Sequence, residues 1–336
     1  MEKRFLGKTG LEISVIGFGG IPIQRVDKEA AVDLIEELNK QGINFIDTAR
    51  GYTISEELIG CGLEKAGRHN FILATKSMVR DYQGMKNDIE ISLKNLRTEY
   101  IDLYQLHNVR TEDEYNKVIG EDGALRALKE AKDKGKIKHI GITSHDLNIL
   151  EKGIESGCFE TIQFPYNPVE RQAEELFKRA NSLGLGVIVM KPLAGGAITN
   201  AELSLRFILE NPHVGVAIPG MDSIEQIRKN ARVGNEYRKL NDRERETILA
   251  EAKELGTEFC RRCGYCAPCP QGIDIPNQFL MEGYYTRYSL KDWAKERYAG
   301  FNNKASDCIE CGQCETRCPY DLPIRKMLKK VANILG

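Results

Sequence analysis

Apolar residues follow two alternating patterns over the first ~235 residues of the chain. Short runs rich in β-branched and aromatic residues, such as Asn44–Asp47 and Ile72–Lys76, have the length of buried strands. Between these runs, as in residues 31–38, apolar residues recur every three or four positions. Such spacing is typical of amphipathic helices, so the pattern predicts a regular alternation of strand and helix.

Eight runs of this kind are expected to be strands. They are Ile16–Gly20, Asn44–Asp47, Ile72–Lys76, Ile101–His107, His139–Thr143, Thr161–Gln163, Val187–Met190 and Val214–Ile218. Eight successive βα units of this size predict an α/β fold, a closed (β/α)8 barrel of the TIM type. The rival is a doubly wound open sheet, which would need a G-x-G-x-x-G turn opening a helix. Gly17–Gly20 is followed by Ile21 and Pro22, so that fingerprint is absent.

Three further elements lie outside the eight units. Lys3–Leu6 and Leu11–Val15 flank a Gly-rich turn and predict a β-hairpin that plugs the bottom of the barrel. Asp242–Leu255 predicts a helix that connects to the rest of the chain, and Ile324–Leu335 an amphipathic basic helix. We therefore expect a barrel over residues 1–235, a linker helix within 236–256 and a second domain over 257–336.

Charge and hydropathy narrow the classes of partner. The chain has 336 residues, with 48 Lys and Arg against 49 Asp and Glu, a net charge of −1. This balance argues against nucleic acid as a partner. The sequence has no apolar run of the roughly 20 residues that a membrane helix needs and no apolar segment near its start. We expect a cytoplasmic protein without membrane or nucleic-acid partners.

Reactive side chains cluster at three consecutive strand ends. Asp47, Lys76 and His107 end the second, third and fourth strands, and Tyr52 follows in the loop after Asp47. Active sites of (β/α)8 barrels lie at this end of the strands. Reduction of a carbonyl by hydride also needs a proton, and the pKa of free tyrosine, about 10, is high for that role. A neighbouring ammonium lowers such a pKa, so the group predicts carbonyl reduction with Lys76 acting on Tyr52.

Eight of the ten cysteines lie in two runs near the end of the chain. They are Cys260, Cys263, Cys266 and Cys269 in the first run and Cys308, Cys311, Cys314 and Cys318 in the second. The second run is C-x2-C-x2-C-x3-C-P, the bacterial ferredoxin pattern, in which the fourth cysteine serves the other cluster. The alternative, structural zinc, favours paired C-x2-C elements separated by a longer loop. We predict two 4Fe–4S clusters with crossed ligation, and expect the remaining Cys61 and Cys158 to be ordinary packing residues.

The segments Asp47–Gly60, Ala74–Lys76 and Asp102–His107 resemble the aldo-keto reductase family. The resemblance covers residues 1 to about 235 and includes the complete catalytic tetrad of that family. It implies a (β/α)8 barrel that binds NAD(P)H without a Rossmann domain. It also implies that Tyr52 is the proton donor, that Lys76 and Asp47 lower its pKa, and that His107 orients the substrate.

The same resemblance implies a set of contacts to the nicotinamide dinucleotide. They are Gly19, Gly20, Asp47, Thr143, Ser144, Gln163, Met190, Lys191, Pro192, Leu193, Gly220, Gln226 and Asn230. Thr143-Ser144 stands where the family often has Ser-Asn, and Met190 where an aromatic residue commonly stacks on the nicotinamide. Gly220 and Gln226 replace two cations that hold the 2′-phosphate of NADPH in many members. Arg228 and Lys229 could substitute, but the helix is expected to point them elsewhere.

The 38 residues between Cys269 and Cys308 read as helical and contain a crowd of aromatic residues. This part looks like the α-helical ferredoxin modules of succinate dehydrogenase-type iron–sulfur subunits. The aromatic residues pack around the clusters on one interpretation and cover the barrel mouth on another. They are Phe279, Tyr284, Tyr285, Tyr288, Trp293, Tyr298 and Phe301.

Two functions remain open at this point. The first is an NAD(P)-dependent oxidoreductase acting on a small carbonyl or alcohol substrate and carrying two 4Fe–4S clusters. The second is an electron-transfer or partner-docking iron–sulfur protein whose barrel is a scaffold or a flavin site. No flavin motif is visible, so a flavin is possible but not indicated. A redox protein partner is possible under either hypothesis.

Overall fold

A computed structural model describes residues 1–256, 258–262, 264–318 and 320–336 of the chain. Its strands are β1 (Lys3–Phe5), β2 (Glu12–Ser14), β3 (Phe18–Gly19), β4 (Phe45–Asp47), β5 (Ile72–Ser77), β6 (Ile101–Leu106), β7 (Ile137–Thr143), β8 (Thr161–Pro165), β9 (Gly186–Met190) and β10 (Val216–Ala217). Strands β3 to β10 pair in parallel in chain order. Parallel bridges from Ile16 to Ala217 and from Gly19 to Gly220 join the first of them to the last. The predicted (β/α)8 barrel is confirmed.

Helices follow the strands around the outside of the barrel and continue into the C-terminal part. They are α1 (Lys28–Lys40), α2 (Ser55–Ala66), α3 (Tyr82–Asn95), α4 (Glu112–Ile119), α5 (Ala124–Asp133), α6 (Leu147–Glu155), α7 (Glu174–Ser182), α8 (Ala201–Leu209), α9 (Ile224–Asn235), α10 (Asp242–Leu255), α11 (Ile275–Thr286), α12 (Lys291–Ala299), α13 (Gln313–Thr316) and α14 (Ile324–Leu335). Short 3-10 turns lie at Pro22–Arg25, Arg68–Asn70 and Ala305–Asp307. No helix in the described ranges is long and apolar enough to span a membrane.

Capping side chains define where many of the barrel helices begin. Asp27, Asp81 and Ser223 each accept a hydrogen bond from a backbone N–H of the first turn of α1, α3 and α9. These bonds satisfy donors that have no partner within the helix. In α1, Leu34, Ile35 and Leu38 then turn inward and are buried against the barrel. The helical periodicity therefore places the apolar face of each βα unit on the sheet.

The N-terminal hairpin closes the bottom of the barrel, as predicted. Its strands pair antiparallel, and Leu6 and Ile13 are completely buried. Both belong to an apolar cluster inside the barrel with Phe45, Leu103 and Ile188. This leaves the opposite end, where the strands finish, as the open mouth.

The C-terminal part forms its own apolar core around α11, α12 and α14. Phe279, Tyr298, Leu328 and Val331 are buried in it. Helix α10, by contrast, packs on the barrel, because Ile248 and Ala252 join the barrel's apolar cluster.

Charged contacts fix the C-terminal part on the mouth of the barrel. Arg262 meets the fully buried Glu170 at 3.2 Å, and Arg110 meets Asp274 at 3.0 Å. Arg297 adds a hydrogen bond to the backbone oxygen of Gly51 at 3.4 Å. The module therefore lies over the end of the barrel at which the reactive strand-end residues were predicted.

Candidate active site and cysteine sites

Strand register brings the reactive side chains to one level of the mouth. Asp47 of β4 pairs with Ala74 of β5, and Lys76 of β5 pairs with Gln105 of β6. His107 directly follows β6. Since these strands are adjacent in the barrel, residues separated by 60 positions along the chain meet at one rim.

Lys76 and Asp47 form a buried ion pair. The Lys76 ammonium donates to Asp47 Oδ2 at 2.5 Å and to the backbone oxygen of Thr48 at 2.8 Å. Gln105 donates to the other carboxylate oxygen at 3.1 Å. Burial lowers the pKa of Lys76 and raises that of Asp47, while their mutual attraction opposes both shifts. The two charged side chains are only about 1% and 3% exposed, so the pair is shielded from water.

Tyr52 lies beside this pair in the loop after β4. The loop is held in place by Ser55, whose hydroxyl donates to the backbone oxygen of Gly20 at 2.8 Å. Lys76 Nζ lies 5.3 Å from the centre of the Tyr52 ring. Burial, and then the charge of Asp47, raise the pKa of Tyr52 well above its ordinary value. The expected lowering of the Tyr52 pKa by Lys76 is therefore outweighed, chiefly by burial of the phenol.

His107 completes the group. Its ring stands edge-on to that of Tyr52, with centroids 5.9 Å apart and an angle of 87° between the planes. Burial and the charges of Lys76, Arg80 and Lys191 lower the pKa of His107 well below its ordinary value. The imidazole is therefore neutral near pH 7. Its Nδ1 is buried and has no hydrogen-bond partner among the described residues.

A cavity of about 320 Å³ opens next to these residues. Tyr52 and Asp47 lie in its wall, whereas Lys76 and His107 stand behind that wall. The predicted dinucleotide contacts in its lining are Gly19, Gly20, Asp47, Gln163, Met190, Lys191, Pro192, Leu193, Gly220, Gln226 and Asn230. The cavity thus runs from the tetrad at the strand ends to the first turns of α9.

Two small cavities in the C-terminal module are lined by cysteines. One is bordered by Cys269, Cys308, Cys311 and Cys314, which come from both runs. The other is bordered by Cys260 and Cys266 of the first run and by Cys318 of the second. Cys263 lies outside the described residues. The fourth cysteine of each run therefore lines the cavity of the other run. Elsewhere, Cys61 is buried in the barrel core and Cys158 is half-buried, as expected of packing residues.

Comparison with known proteins gives the family. Residues 15–204, more than half of the chain, match the aldo/keto reductase family, and residues 259–323 match a 4Fe–4S dicluster domain. The chain belongs to the aldo/keto reductase family. It is an oxidoreductase of the aldo/keto reductase type with a 4Fe–4S domain C-terminal to the barrel.

Similar proteins cover nearly the full length of the barrel part. An uncharacterized oxidoreductase of Bacillus subtilis, YqkF, is 27% identical over 307 residues, which are 76% of this chain and 97% of that protein. The NADH-specific methylglyoxal reductase of Escherichia coli is 31% identical over 229 residues, covering 59% of this chain and 69% of its own. Among solved structures, the aldo-keto reductase AKR11C1 from Bacillus halodurans in its holo form has a TM-score of 0.65 at 27% identity, covering 81% of this chain and 99% of that one.

In the cavity of this aldo/keto reductase, one lining residue carries a buried acceptor without a partner among the described residues. Gln163 is 1% exposed and lines the cavity, and its Oε1 has no partner among the described residues. Thr143 and Ser144 lie elsewhere. The Thr143 hydroxyl accepts from the backbone of Asn108 at 2.7 Å, and that of Ser144 donates to the backbone of Val109 at 2.6 Å. Both are outside the cavity lining and support the loop after β6 instead.

At the α9 end of the cavity, Lys229 differs from the prediction that the helix points it elsewhere. Arg228 points away, as expected, and pairs with Glu37 at 2.7 Å. Lys229, in contrast, lines the cavity, and its partner Glu225 is largely exposed. Arg25 of the turn after β3 also lines it, paired with Asp222 at 2.8 Å. Sequence reasoning missed Arg25, since nothing in the local pattern distinguishes it from a surface arginine.

The end of helix α11 of the 4Fe–4S domain and the residues that follow it supply the outer wall of the cavity. Tyr284, Arg287 and Tyr288 all line it. Arg287 Nε donates to the backbone oxygen of Gly195 at 3.2 Å, and Tyr284 packs edge-on against Trp293. Of the predicted aromatic residues, Phe279 and Tyr298 pack in the module core, while Tyr284 and Tyr288 cover the barrel mouth. Packing in the module and covering of the barrel mouth are therefore both found, for different aromatic residues.

Proposed function

We propose that this protein interconverts a small carbonyl compound and its alcohol with NAD(P)H, with Tyr52 as the proton donor. The observation that carries the proposal is the single cavity shared by Tyr52, Gln163 and the residues of the α9 loop. Its walls offer a proton, an open acceptor for a carboxamide and cations for phosphates in one continuous space. This arrangement fits a nicotinamide dinucleotide with its reactive end at the tetrad.

Each residue has a separate role in the proposed reaction. NAD(P)H, when bound, supplies a hydride to the carbonyl carbon. Tyr52 holds its proton at neutral pH, because its pKa is raised, and gives it to the developing alkoxide. Neutral His107 packs edge-on against Tyr52, and we propose that it positions the phenol that donates to the carbonyl oxygen. Lys76 holds the loop that carries Tyr52 through its hydrogen bond to the backbone oxygen of Thr48. Asp47 balances the charge of the buried Lys76 ammonium.

Gln163 and Lys229 are the residues we assign to the two ends of the dinucleotide. The free Gln163 Oε1 would accept from the nicotinamide carboxamide. Lys229 would meet a 2′-phosphate where the usual cations are replaced by Gly220 and Gln226. With one cation in place of several, we expect both NADH and NADPH to be used.

We further propose two 4Fe–4S clusters with crossed ligation. The donor set fits, because each cysteine-lined cavity collects thiols from both runs. Bound clusters would supply one-electron transfer. Cys311 is exposed, so we place the entry point for a redox partner there. Reduced thiol ligands also agree with a cytoplasmic location.

The first experiment measures reduction of model aldehydes with NADH and with NADPH by anaerobically purified protein. We expect turnover by the wild type and none by Tyr52→Phe with cofactor affinity unchanged. Iron, sulfide and flavin content is measured on the same sample. Turnover by neither cofactor, with clusters present, would favour the electron-transfer protein with a scaffold barrel.

A further inference from the structure

Four cationic side chains line the barrel cavity, and one of them has no acidic partner. Arg25 pairs with Asp222, Lys229 with Glu225, and Arg287 meets Glu282 at 3.6 Å. Lys191, within the described part of the chain, forms no ion pair with a carboxylate. Its amino group therefore lines the active-site cavity without a paired carboxylate among the described residues.

The backbone holds Lys191 in an unusual conformation. Its φ is +54°, in the left-handed region that a residue with a side chain rarely adopts. The Asn167 side-chain amide donates to the backbone oxygen of Lys191 at 3.0 Å and to the buried Glu170 at 3.0 Å. Strained backbone of this kind persists only where the surroundings impose it, and it concentrates at ligand sites. The direction of the Lys191 side chain is therefore imposed by the fold.

Hydrogen bonds connect the Lys191 amino group to the loop that follows His107. Lys191 Nζ lies 3.0 Å from His145 Nε2, and His145 Nδ1 lies 3.0 Å from Asn108 Oδ1. Asn108 is the neighbour of His107, and the charge of Lys191 is one cause of the lowered pKa of His107. Lys229, the cation of the α9 helix, lies at the other end. Lys191 is therefore linked to the His107 loop, the side on which we propose that the substrate binds.

Arg287 of the 4Fe–4S domain brings a second charge to this side. It lines the same cavity, and its Nε donates to the backbone oxygen of Gly195, four residues after Lys191. The buried carboxylate of Glu170, which Asn167 links to the Lys191 backbone, is already paired with Arg262 at 3.2 Å. Two cations that repel each other in a buried wall are stabilised when an anion binds between them.

We propose that the substrate of this site is an anionic carbonyl compound whose acidic group binds Lys191, with Arg287 as its second cation. The proposal rests on the proposed function and narrows its substrate class. Two other anions compete for Lys191, namely the pyrophosphate of the dinucleotide and the cluster beside Cys260, whose thiol also acts on the Lys191 charge. The test separates all three.

The experiment compares matched carbonyl pairs that differ in charge but hardly in size. They are terephthalaldehydic acid with its methyl ester, and pyruvate with methyl pyruvate. We expect the wild type to favour the acid in at least one pair by about tenfold or more in kcat/KM, as a charge-assisted bond allows. Lys191→Met should abolish the preference, Lys191→Arg should restore part of it, and Lys134→Met, on the exposed end of α5, should leave it intact.

Three results would overturn the proposal. One is preference for the neutral compound in both pairs. The second is a Lys191→Met variant that binds NADPH more weakly and loses acid and ester turnover equally, which assigns Lys191 to the pyrophosphate. The third is an unchanged acid preference with an altered EPR spectrum, which assigns Lys191 to the cluster.

Binding keeps the proposal testable if the protein reduces no carbonyl at all. Benzoate is then titrated calorimetrically into the wild type with NADP⁺ present. Binding that Lys191→Met removes supports the anion site although the proposed reaction has failed. No binding of benzoate or pyruvate to the wild type overturns the anion site.

Discussion

Lys76 lies over the face of Tyr52, with its ammonium 5.3 Å from the ring centre and bonded to Asp47. The ammonium is therefore paired with the carboxylate. The pKa of the Tyr52 phenol is raised by burial and by the charge of Asp47. A phenol with a raised pKa stays protonated at neutral pH, as the proposed role of Tyr52 as proton donor requires. Two hypotheses can therefore be distinguished by the pH profile of the reaction. In one the pKa of Tyr52 stays high, and in the other Lys76 lowers it strongly.

The first prediction concerns that profile. A general acid works below its pKa, and that of Tyr52 is raised well above 10. A neutral His107 is needed above its own pKa, which lies well below 6.5. We expect kcat/KM for reduction to be flat between about pH 6 and pH 9. A loss of activity with a midpoint near pH 7 to 8 would show that Lys76 acidifies Tyr52 after all.

The second prediction is the loss of the proton donor. Tyr52→Phe removes the hydroxyl but keeps the ring that packs against His107. We expect kcat to fall by roughly 10²- to 10⁴-fold, the contribution of a positioned general acid. Dinucleotide affinity, measured by fluorescence titration, should change little. Activity close to that of the wild type would contradict the assignment of Tyr52.

The third prediction concerns cofactor choice. We expect a preference for NADPH over NADH of less than about a hundredfold, because Lys229 alone replaces several cations. Lys229→Met should weaken NADPH binding about tenfold and NADH binding little. Arg228→Met is the matched control, since Arg228 is on the same helix but pairs with Glu37 outside the cavity. A larger effect of Arg228→Met would reassign the phosphate contact.

The fourth prediction concerns stability. Asp47→Asn leaves the Lys76 ammonium buried without a counter-charge. We expect the free energy of unfolding to fall by about 3 to 5 kcal/mol, measured by urea denaturation. Glu236→Gln, which breaks the exposed pair with Arg232, should change it little. Equal effects of the two substitutions would show that the buried pair is not structural.

The fifth prediction tests crossed ligation. Cys318 lines the cavity of Cys260 and Cys266, so Cys318→Ala should damage that centre and spare the one at Cys308, Cys311 and Cys314. Low-temperature EPR of the single variants distinguishes the centres, with Cys266→Ala and Cys311→Ala as references. Crossed ligation is excluded if Cys318→Ala reproduces the spectrum of Cys311→Ala. About eight iron atoms per chain are expected for two four-iron clusters.

Local patterns predicted much of this molecule correctly. The eight barrel strands, the hairpin and the helices Asp242–Leu255 and Ile324–Leu335 all follow from hydrophobic periodicity and turn residues. The meeting of Asp47, Lys76 and His107 also follows, because parallel strands of a barrel finish at the same rim. These features depend on short-range spacing or on a symmetry that eight repeated units impose.

The composition of the cavity wall depends on contacts between distant segments. Tyr284, Arg287 and Tyr288 reach the mouth only because the 4Fe–4S domain docks there, more than 200 residues from Tyr52 in the chain. Thr143 and Ser144 do not line the cavity, and their hydroxyls form hydrogen bonds with the loop after β6 instead. Lys229 lines the cavity, whereas its neighbour Arg228 on α9 pairs with Glu37. The spacing of residues along the chain does not predict which of these side chains line the cavity. That depends on packing and on competition for hydrogen bonds between distant segments of the folded chain.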